Sequence, residues 1–581
     1  MTLKFVINPM GMLPALKPRV LPDNYSQDCA NCDLKDGTIS SIPGPEQITN
    51  LGTTDWRSFF KYLTDALYWT DADIKVIRGQ VPEGNERIFY TGDGYPKQTD
   101  KTLMSGSGTP SDTTEYRRLG VVAPTPTLTI NIGGTGTGVV EDSVSYYYTY
   151  VVKWADGTEQ ESAPSPATAV ADIEEDEYVY LTGFSIPALA TNGNDITHVR
   201  VYRLTSGSAS AEYQQVKVRK NNVGASEAWD ISVSGLTSVY DNNAAATGLT
   251  TSLGDVSQVE DWDDPPADMH QITQYMNGVL VGISGRNVCF SVPLIYYAWP
   301  AEYQYPIDYD GVAVGIYGQA AIILTGSKPY RMTGDPSSIF SQLLDYEQPC
   351  LSARGVVSTN IGVIYPSPDG LFLINNTGGY IITAEYNGAE AVLTKEAWND
   401  LPPDGYDHGD LVGFFYDNAY IGFWAGSDRG FIFDLSRRYL VLIDLVDTVY
   451  HGCKDPDTDA LYLLTKINTT YYAKKWRTGS DLSWYWYSKD FESEPINYAY
   501  CMVLGDQSVS SSISFKAYGN GTQLDNGGTP FEKVVTDQSI FRLPAQKQFR
   551  SYKFLLVGSC SCRGFIVATS RQEIEEVIKK L

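Results

Sequence analysis

The chain has 581 residues, with 43 Lys and Arg against 69 Asp and Glu, which gives a formal net charge of −26 at pH 7. This acidic excess argues against a protein that reads nucleic-acid sequence, because such proteins need Lys and Arg to displace counterions from phosphates. A hydrophobic fraction of 43% argues against extended disorder, and 52 Gly, 30 Pro and 41 Tyr are typical of a turn-rich β protein.

The first segment, residues 1–53, carries prolines at positions 9, 14, 18, 22, 43 and 45, which prevent a long helix. We expect an extended arm that lies across another surface and is a candidate interface. Residues 1–20 lack the apolar core of a signal peptide, and no apolar run reaches membrane-spanning length. The eight cysteines are scattered, which favours reduced thiols in a protein folded in cytoplasm.

Residues 54–121 are predicted to form a first propeller segment, because short apolar runs at 59–63 and 66–70 are typical of hairpin strands. Residues 122–250 are predicted to form an inserted, fibronectin III-like β-sandwich. Its strand-like runs lie at 146–154 and 199–203.

Two stretches in and after this insertion are strongly acidic. Between Gly133 and Val199 there are eleven acidic residues and one basic residue, Lys153, and between Asp241 and Gly285 there are seven acidic residues and no Lys or Arg. We expect these stretches to produce a strong local negative field.

Residues 251–490 are predicted to hold the main propeller blades. The segment 363–383 shows one copy of a β unit, in which apolar runs are separated by Pro-Asp-Gly and Thr-Gly-Gly turn signals. The first apolar residues after such turns are spaced 42, 49, 49 and 41 residues apart, as subtraction of their positions shows; they are Leu280, Ile322, Leu371, Tyr420 and Leu461. This period is typical of four-stranded blades.

A pentapeptide at residues 64–68 recurs letter for letter at 458–462, which suggests a sixth copy upstream. A single blade would leave its apolar faces exposed, and closing blades into a ring covers them. The predicted fold is therefore mainly β, with a β-propeller of about six blades.

Residues 491–581 are predicted to form a C-terminal β-sandwich that ends in a short helix. Ser570 and Glu573 have the spacing of a capping box. Residues 530–581 contain nine Lys and Arg against five Asp and Glu, a local reversal of the overall charge. We therefore take the apolar face of this helix as a candidate subunit interface, formed by Ile574, Val577, Ile578 and Leu581.

No pattern predicts a catalytic, cofactor or metal site. Cys29 and Cys32 have CxxC spacing without a second ligand pair, so a structural role is favoured. The Asp-rich run at 455–459 begins like a calcium loop but has Ala460 and Lys466 where glycine and glutamate are needed, which favours a hairpin turn.

Other chemical signals have equally simple explanations. The glycine-rich run 133–138 has no following lysine, so a flexible loop is favoured over a phosphate site. The acidic run 260–266 could bind a cation, but a solvated linker is favoured. His408 lies between Asp407 and Asp410, a setting more typical of a loop than of a catalytic centre. A glycosidase carboxylate pair stays open, because such pairs are close in space and not in sequence.

Several stretches resemble one known family. Residues 8–25 form a proline-rich segment that contains Leu-Pro-Asp-Asn at 21–24. Residues 31–37 begin with an Asn and end with a Leu-x-x-Gly motif. Together with residues 89–97, 117–121, 542–544 and 570–573, they resemble virion tail proteins of short-tailed bacteriophages, in particular the tail nozzle, or tail tubular protein B-like, family.

The resemblance implies a non-enzymatic structural virion protein, made in the host cytoplasm, that forms a homo-hexameric ring. The partners it implies are a tail adaptor above the ring, tail fibres or spikes at its periphery, and double-stranded DNA passing through the channel into the host. The acidic composition agrees with a conduit, because carboxylates repel phosphates within the screening length of roughly 8–10 Å.

Two alternatives belong to other classes of protein. The first is a receptor-binding or fibre-docking protein that contacts glycans through Tyr and Trp. The second is a tail enzyme that degrades cell-surface polysaccharide.

Overall fold

The computed structural model describes residues 3–71, 73–79, 86–104, 106–111, 114–206, 212–384, 391–544 and 548–579. The described chain is mainly β, as predicted. It divides into two compact units: unit 1 contains Met1–Ala72 and Asp345–Leu581, and unit 2 contains Asp73–Leu344. Within the described ranges, no helix is both long enough and apolar enough to cross a bilayer.

Unit 1 begins with short strands from the N-terminal region. They are β1 (Leu3–Ile7), β2 (Met10–Met12), β3 (Tyr25–Ala30), β4 (Cys32–Asp33), β5 (Ser40–Ser41), β6 (Glu46–Gly52), β7 (Ser58–Tyr62) and β8 (Asp65–Trp69).

Unit 2 follows in three stretches. The first has β9 (Lys75–Arg78), β10 (Ile88–Thr91), β11 (Lys97–Thr99) and β12 (Arg117–Arg118). The insertion has β13 (Thr129–Gly134), β14 (Val140–Lys153), β15 (Glu159–Glu161), β16 (Ala171–Glu174), β17 (Glu177–Thr182), α1 (Leu189–Asn192), β18 (His198–Thr205), β19 (Gln214–Val216), β20 (Val218–Lys220), β21 (Glu227–Ala228), β22 (Ile231–Ser232), β23 (Val239–Asp241) and β24 (Leu253–Val256). The third has β25 (His270–Gln274), β26 (Leu280–Ser284), β27 (Asn287–Phe290), β28 (Gln304–Pro306), β29 (Gly311–Tyr317), β30 (Ala320–Thr325), β31 (Tyr330–Thr333) and β32 (Phe340–Leu343), with one-turn 3-10 helices at Ala301–Tyr303 and Pro336–Ser338.

The rest of unit 1 has two stretches. The first has β33 (Val357–Ser358), β34 (Val363–Ser367), β35 (Gly370–Asn375), β36 (Gly378–Ile381), α2 (Lys395–Asn399), β37 (Leu411–Tyr416), β38 (Ala419–Trp424), β39 (Ser427–Asp434), β40 (Leu440–Lys454), β41 (Leu461–Ile467) and β42 (Thr470–Lys475), with 3-10 helices at Ala353–Gly355 and His408–Asp410. The second has β43 (Trp484–Ser488), β44 (Phe491–Ile496), β45 (Tyr500–Gly505), β46 (Ile513–Gly519), β47 (Thr522–Gln523), β48 (Lys533–Val535), β49 (Phe541–Arg542), β50 (Phe549–Gly558), β51 (Cys562–Ala568) and α3 (Arg571–Ile578).

The repeated β unit predicted from the sequence is confirmed. Runs of four consecutive strands form antiparallel sheets in which each strand pairs with the next, namely β9–β12 and β25–β28 and β29–β32 in unit 2, and β33–β36 and β37–β40 in unit 1. The predicted marker residues all lie in strands and are at most 4% exposed: Leu280, Ile322, Leu371, Tyr420 and Leu461. The period therefore reflects apolar strands that follow equivalent turns.

The long strand β40 belongs to two sheet segments. Its first part pairs with β39 and its second part with β41, and the ladder continues through β42 to β6. The hairpin β7–β8 packs on this ladder, where Ala66 and Ala460 share one apolar cluster with Phe59 and Tyr462. The two copies of the repeated pentapeptide thus lie at equivalent hairpin turns, one leading into β8 and the other into β41.

The N-terminal segment is extended, as expected, but it is built into the sheets of unit 1. β1 pairs with β51, β3 with β43, and β6 with β42. The contact between β1 and β51 is so close that a Cβ atom on Gly564 would lie 1.9 Å from the Val6 carbonyl oxygen. Turn and proline signals are local, so they could not show which distant strands complete these ladders.

The C-terminal sandwich has two sheets around an aromatic core. One sheet has the order β1-β51-β45-β49, and the other runs through β3, β43, β50 and β46. Trp486, Phe515, Phe554 and Phe565 from these sheets lie in one buried cluster. The sandwich predicted for residues 491–581 therefore also needs strands β1, β3 and β43, which lie outside that range.

The insertion forms two sheets of its own. Their orders are β13-β17-β23-β20-β21 and β15-β14-β18-β19-β24. Alternating residues of both sheets, including Tyr146, Val179, Val201 and Val239, meet in one buried cluster. This is the two-layer arrangement expected of a β-sandwich, and its fibronectin III type stays a prediction.

Candidate functional site

The predicted C-terminal helix forms with the predicted cap. In α3, the Ser570 hydroxyl accepts from the backbone N–H of Glu573, and the Glu573 carboxylate accepts in return from the Ser570 backbone, which is a capping box. Ile574 is fully buried and packs against Met502 and Ile566 of the sandwich.

The four residues predicted as an interface therefore have different roles. Ile574 anchors α3 to its own sheet, Val577 is partly buried against the same cluster, and Ile578 is 37% exposed. Leu581 lies outside the described residues. Of the described residues in the set, Ile578 is the one most accessible to a partner.

The acidic residues of the insertion fall into two groups, and the first group is neutralised internally. The Arg200 guanidinium lies 2.6 Å from Glu159, 2.5 Å from Glu161 and 2.7 Å from Asp230. Lys153 also pairs with Glu159 and Asp230. Most of these carboxylates and cations are only partly buried, and as a network they neutralise one another.

A second internal pair lies in the core of the insertion. Arg203 Nη1 is 2.7 Å from Asp241 Oδ2, and the Tyr146 hydroxyl donates to the same oxygen at 2.8 Å. The Asp241 side chain is fully buried. These contacts hold the two sheets together and take part in no open site.

The insertion is fixed to the first sheet of unit 2 by a buried arginine. Arg87 is 1% exposed, lies 3.0 Å from Asp156 Oδ2, and stacks 3.8 Å above the ring of Trp154. Its guanidinium also donates to the Tyr296 hydroxyl. Because these groups come from three separate parts of unit 2, they determine the orientation of the insertion within that unit.

The second group of acidic residues has no such partners and lies at one end of the insertion. Strand β16 pairs with the start of β14, so that Val140 lies opposite Glu174 and Ser143 opposite Asp172. We call this end the acidic tip; its carboxylates are Glu141, Asp142, Asp172, Glu174, Glu175, Asp176 and Glu177. None of the ion pairs found in the described part of the chain includes them.

The glycine-rich run 133–138 beside the acidic tip is only partly the predicted loop, because Gly133 and Gly134 end strand β13 and residues 135–138 follow it as a loop. Glu174 Oε2 accepts from the backbone N–H of Gly138 at 2.7 Å, and Glu177 Oε2 accepts from the N–H of Glu174 at 2.8 Å. The N–H of Gly138 is therefore already bound to a carboxylate, and this negative charge beside the run would repel a phosphate. Exposed valines border the tip: Val139, Val140 and Val170 are 63%, 53% and 68% exposed.

The acidic stretch after the insertion is partly neutralised. Asp264 lies 2.6 Å from Arg118 Nη2, and Asp268 accepts from the Ser284 hydroxyl at 2.7 Å. Burial raises the pKa of the Asp263 carboxyl. The linker predicted over residues 260–266 is thus anchored at its C-terminal end.

Unit 1 contains an open cleft of about 900 Å³. Its charged lining residues are Asp400, Asp404, Asp428 and Arg429, and its other lining residues include Pro402, Pro403, Tyr406, Leu442 and Thr448. Asp444 follows two residues after Leu442 on the same face of β40, and its Oδ1 lies 3.8 Å from Arg429 Nε. No sequence pattern predicted this cleft, because its walls come from β39, β40 and the loop after α2.

Two carboxyls beside this cleft are partly shielded from water. Burial raises the pKa of Asp28 and of Asp444. Like-charge repulsion raises them further, from Asp444 on Asp28 and from Asp428 on Asp444. The Tyr485 hydroxyl donates to Asp28 Oδ1 at 3.2 Å, which opposes the rise. A carboxyl that is easier to protonate is a candidate proton donor.

The remaining sequence signals have structural roles. Cys29 and Cys32 are buried free thiols, and burial raises the pKa of Cys32. The Asp455 loop is the hairpin turn between β40 and β41, closed by a bond from its N–H to the Ala460 carbonyl. His408 stacks on Trp398. No group of three or more His, Cys, Asp or Glu able to hold a metal occurs among the residues that the structure describes.

No protein-family model and no curated protein matches this chain. Similar solved structures include BBS1N, solved in complex with ARL6DN, at 8% identity and a TM-score of 0.25, covering 57% of this chain and 88% of that one. The WD40 domain of Neurospora crassa Pan2 matches at 7% identity and a TM-score of 0.25, covering 54% and 86%. The WD40 domain of Toxoplasma gondii coronin matches at 8% identity and a TM-score of 0.24, covering 62% and 90%. These TM-scores reflect a loose overlap, and the fold described above rests on the strand pairings themselves.

Proposed function

We propose that this chain is the tail nozzle protein of a short-tailed bacteriophage, a structural virion protein whose ring conducts DNA out of the particle. In this proposal the four-stranded sheets of both units close into a propeller of about six blades, and six copies form the ring. The sequence resemblance suggests this assembly, and the repeated antiparallel sheets are compatible with it.

The observation that carries the proposal is the distribution of charge. Buried cations such as Arg87 and Arg203 are paired with carboxylates inside the protein, while the acidic tip keeps its carboxylates without described ion pairs. The excess of acidic residues behind the net charge of −26 therefore lies mainly at the surface. Such a surface repels phosphates, which suits a conduit that DNA must pass without being held.

The proposed function is tested by electron microscopy of phage particles that contain this chain fused to a small density label. A ring of label around the tail axis supports a nozzle. Label only at the tail periphery supports a receptor-binding or fibre-docking protein and contradicts the nozzle. Purified protein should also leave double-stranded DNA unshifted in a gel at physiological salt.

One observation favours a second candidate, a polysaccharide-degrading tail enzyme. The cleft of unit 1 borders Asp444, whose pKa is raised by burial, and it also contains the carboxylate of Asp428. Glycoside hydrolysis uses one protonated and one ionised carboxyl. Release of oligosaccharide from host capsule or lipopolysaccharide by the wild type, and its loss in Asp444→Asn, would support the enzyme over the conduit.

A further inference from the structure

A short exposed turn interrupts the acidic surface of unit 1. Residues 17–20, Lys-Pro-Arg-Val, lie between β2 and β3, and all four are exposed. We call this segment the basic turn. Val20 is 59% exposed, and no ion pair within the described chain includes Lys17 or Arg19.

Backbone hydrogen bonds fix the conformation of the basic turn. The Val20 N–H donates to the Lys17 carbonyl at 2.9 Å, and the Asp490 N–H donates to the Pro18 carbonyl at 3.1 Å. Leu21 is 2% exposed and belongs to the main apolar cluster of unit 1. Because the backbone is already fixed at both positions, binding of a partner costs little backbone entropy, and the entropic cost is confined to the side chains.

The basic turn is chemically complementary to the acidic tip of unit 2. The turn presents two cations and one exposed valine, and the tip presents seven carboxylates and the exposed valines Val139, Val140 and Val170. An apolar centre with charged surroundings of opposite sign is the usual composition of a specific protein interface.

We propose that the basic turn of one copy of this chain docks on the acidic tip of a second copy. The inference rests on the proposed function in one respect, namely that copies of the chain associate. Since the two surfaces differ, the contact is heterologous, and repeated contacts of that type close into a ring when the rotation between copies permits it.

The first test is zero-length carbodiimide crosslinking of the full chain, which joins a lysine amine to a carboxylate in contact with it. A mixture of ¹⁵N-labelled and unlabelled protein identifies crosslinks between copies. We expect peptides joining Lys17 to the carboxylates of the acidic tip of another copy, namely residues 141, 142, 172 and 174–177. A crosslinked assembly in which Lys17 is joined elsewhere, or is not joined, overturns the proposal.

The second test reverses the turn by Lys17→Glu with Arg19→Glu. We expect the dissociation constant of the assembly, measured by sedimentation, to rise by at least about tenfold, because carboxylates then face carboxylates. Lys101→Glu with Arg550→Glu is the matched control, because both residues are exposed and the net charge changes equally. Equal effects of the two variants overturn the proposal.

A third experiment, in which two variants are mixed, distinguishes loss of the contact from misfolding of a variant. Glu141→Lys, Asp172→Lys and Glu175→Lys weaken the tip at exposed positions. Neither this variant nor the turn variant should self-associate, but their mixture should form hetero-assemblies, because the intact turn of one variant then meets the intact tip of the other. If wild-type rings are seen on particles and the mixture stays monomeric, the nozzle function stands and this contact is wrong.

Discussion

The imidazole of His408 lies flat on the indole of Trp398, with ring centroids 3.9 Å apart and planes 1° apart. Its Nε2 is also 3.0 Å from the Trp398 carbonyl oxygen. Burial of this ring lowers the pKa of His408 from 6.5 to about 4. Its acidic neighbours Asp407 and Asp410 cap the 3-10 helix that contains it.

This stacking predicts an acid-sensitive unit 1. Below pH 6.5 His408 is protonated in the unfolded chain, but in the folded chain it stays neutral down to about pH 4. The free energy of unfolding therefore decreases as the pH falls from 6.5 to about 4. The contribution is about 3 kcal/mol at the acid end. Denaturant unfolding at several pH values should show a shallower pH slope for His408→Phe than for the wild type. Parallel slopes would contradict the assignment.

The close approach of β1 to β51 predicts that Gly564→Ala is strongly destabilising. The added Cβ would meet the Val6 carbonyl oxygen, and φ at Gly564 is +143°. Gly521→Ala is the control, because Gly521 has φ of +82° but no atom within 4 Å of an added Cβ. We expect Gly564→Ala to lower the unfolding free energy by at least about 2 kcal/mol more than the control. Hydrogen exchange at residues 3–7 should rise in that variant alone.

The contact of Arg87 with Asp156 predicts a large effect of one buried cation. Arg87→Met removes the guanidinium that neutralises the buried Asp156 carboxylate, which costs about 3–5 kcal/mol. Arg286→Met removes an exposed pair with Asp310 and should have a much smaller effect on stability, because solvent screens that pair. Calorimetry of the full chain compares the two. Limited proteolysis should then release the insertion from Arg87→Met first, and similar stability of both variants would disagree with this role.

Burial of the thiols predicts a protein that is unreactive toward disulfide reagents. Burial raises the pKa of Cys32, and it raises the pKa of Cys453 to about 12, so little thiolate forms at neutral pH. With 5,5′-dithiobis-(2-nitrobenzoate) at pH 8 we expect almost no reaction in native protein and all eight thiols in denatured protein. Fast reaction of two thiols would instead indicate a working CxxC pair.

The helix α3 predicts opposite outcomes for two neighbouring isoleucines. Ile574→Ala should lower the unfolding free energy by about 2–5 kcal/mol, because the side chain is fully buried. Ile578→Glu should change stability by no more than about 0.5 kcal/mol, because that residue is partly exposed. If the helix face is a subunit interface, Ile578→Glu should still reduce assembly in sedimentation experiments. Full assembly of Ile578→Glu would remove α3 from the interface.

Local patterns predicted the elements of this protein well. The run at 363–383 gave strands β34, β35 and β36, and the capping signal at Ser570 gave α3. The turn at Asp455 was also predicted, since missing ligands excluded a calcium loop. Each of these depends on residues within a few positions of one another, where turn chemistry and strand alternation act directly.

The candidate site was predicted only in part. The acidic excess of the insertion was visible in the sequence, but not that Glu159 and Glu161 are neutralised by Arg200 while Glu175 has no described ion pair. The basic turn was missed as a separate feature, because exposure of Lys17 and Arg19 depends on the burial of the residues around them.

The sequence by itself determined the mainly β fold class, the repeated strands and the net charge, because strand period, turn residues and charge are properties of the chain. Tertiary structure alone decided which strands are neighbours, which isoleucine of α3 is buried, and which carboxylates stay without ion pairs. The physical reason is that these properties come from contacts between residues hundreds of positions apart, such as Val6 with Phe565. A pattern within one segment cannot identify the distant strand with which that segment pairs.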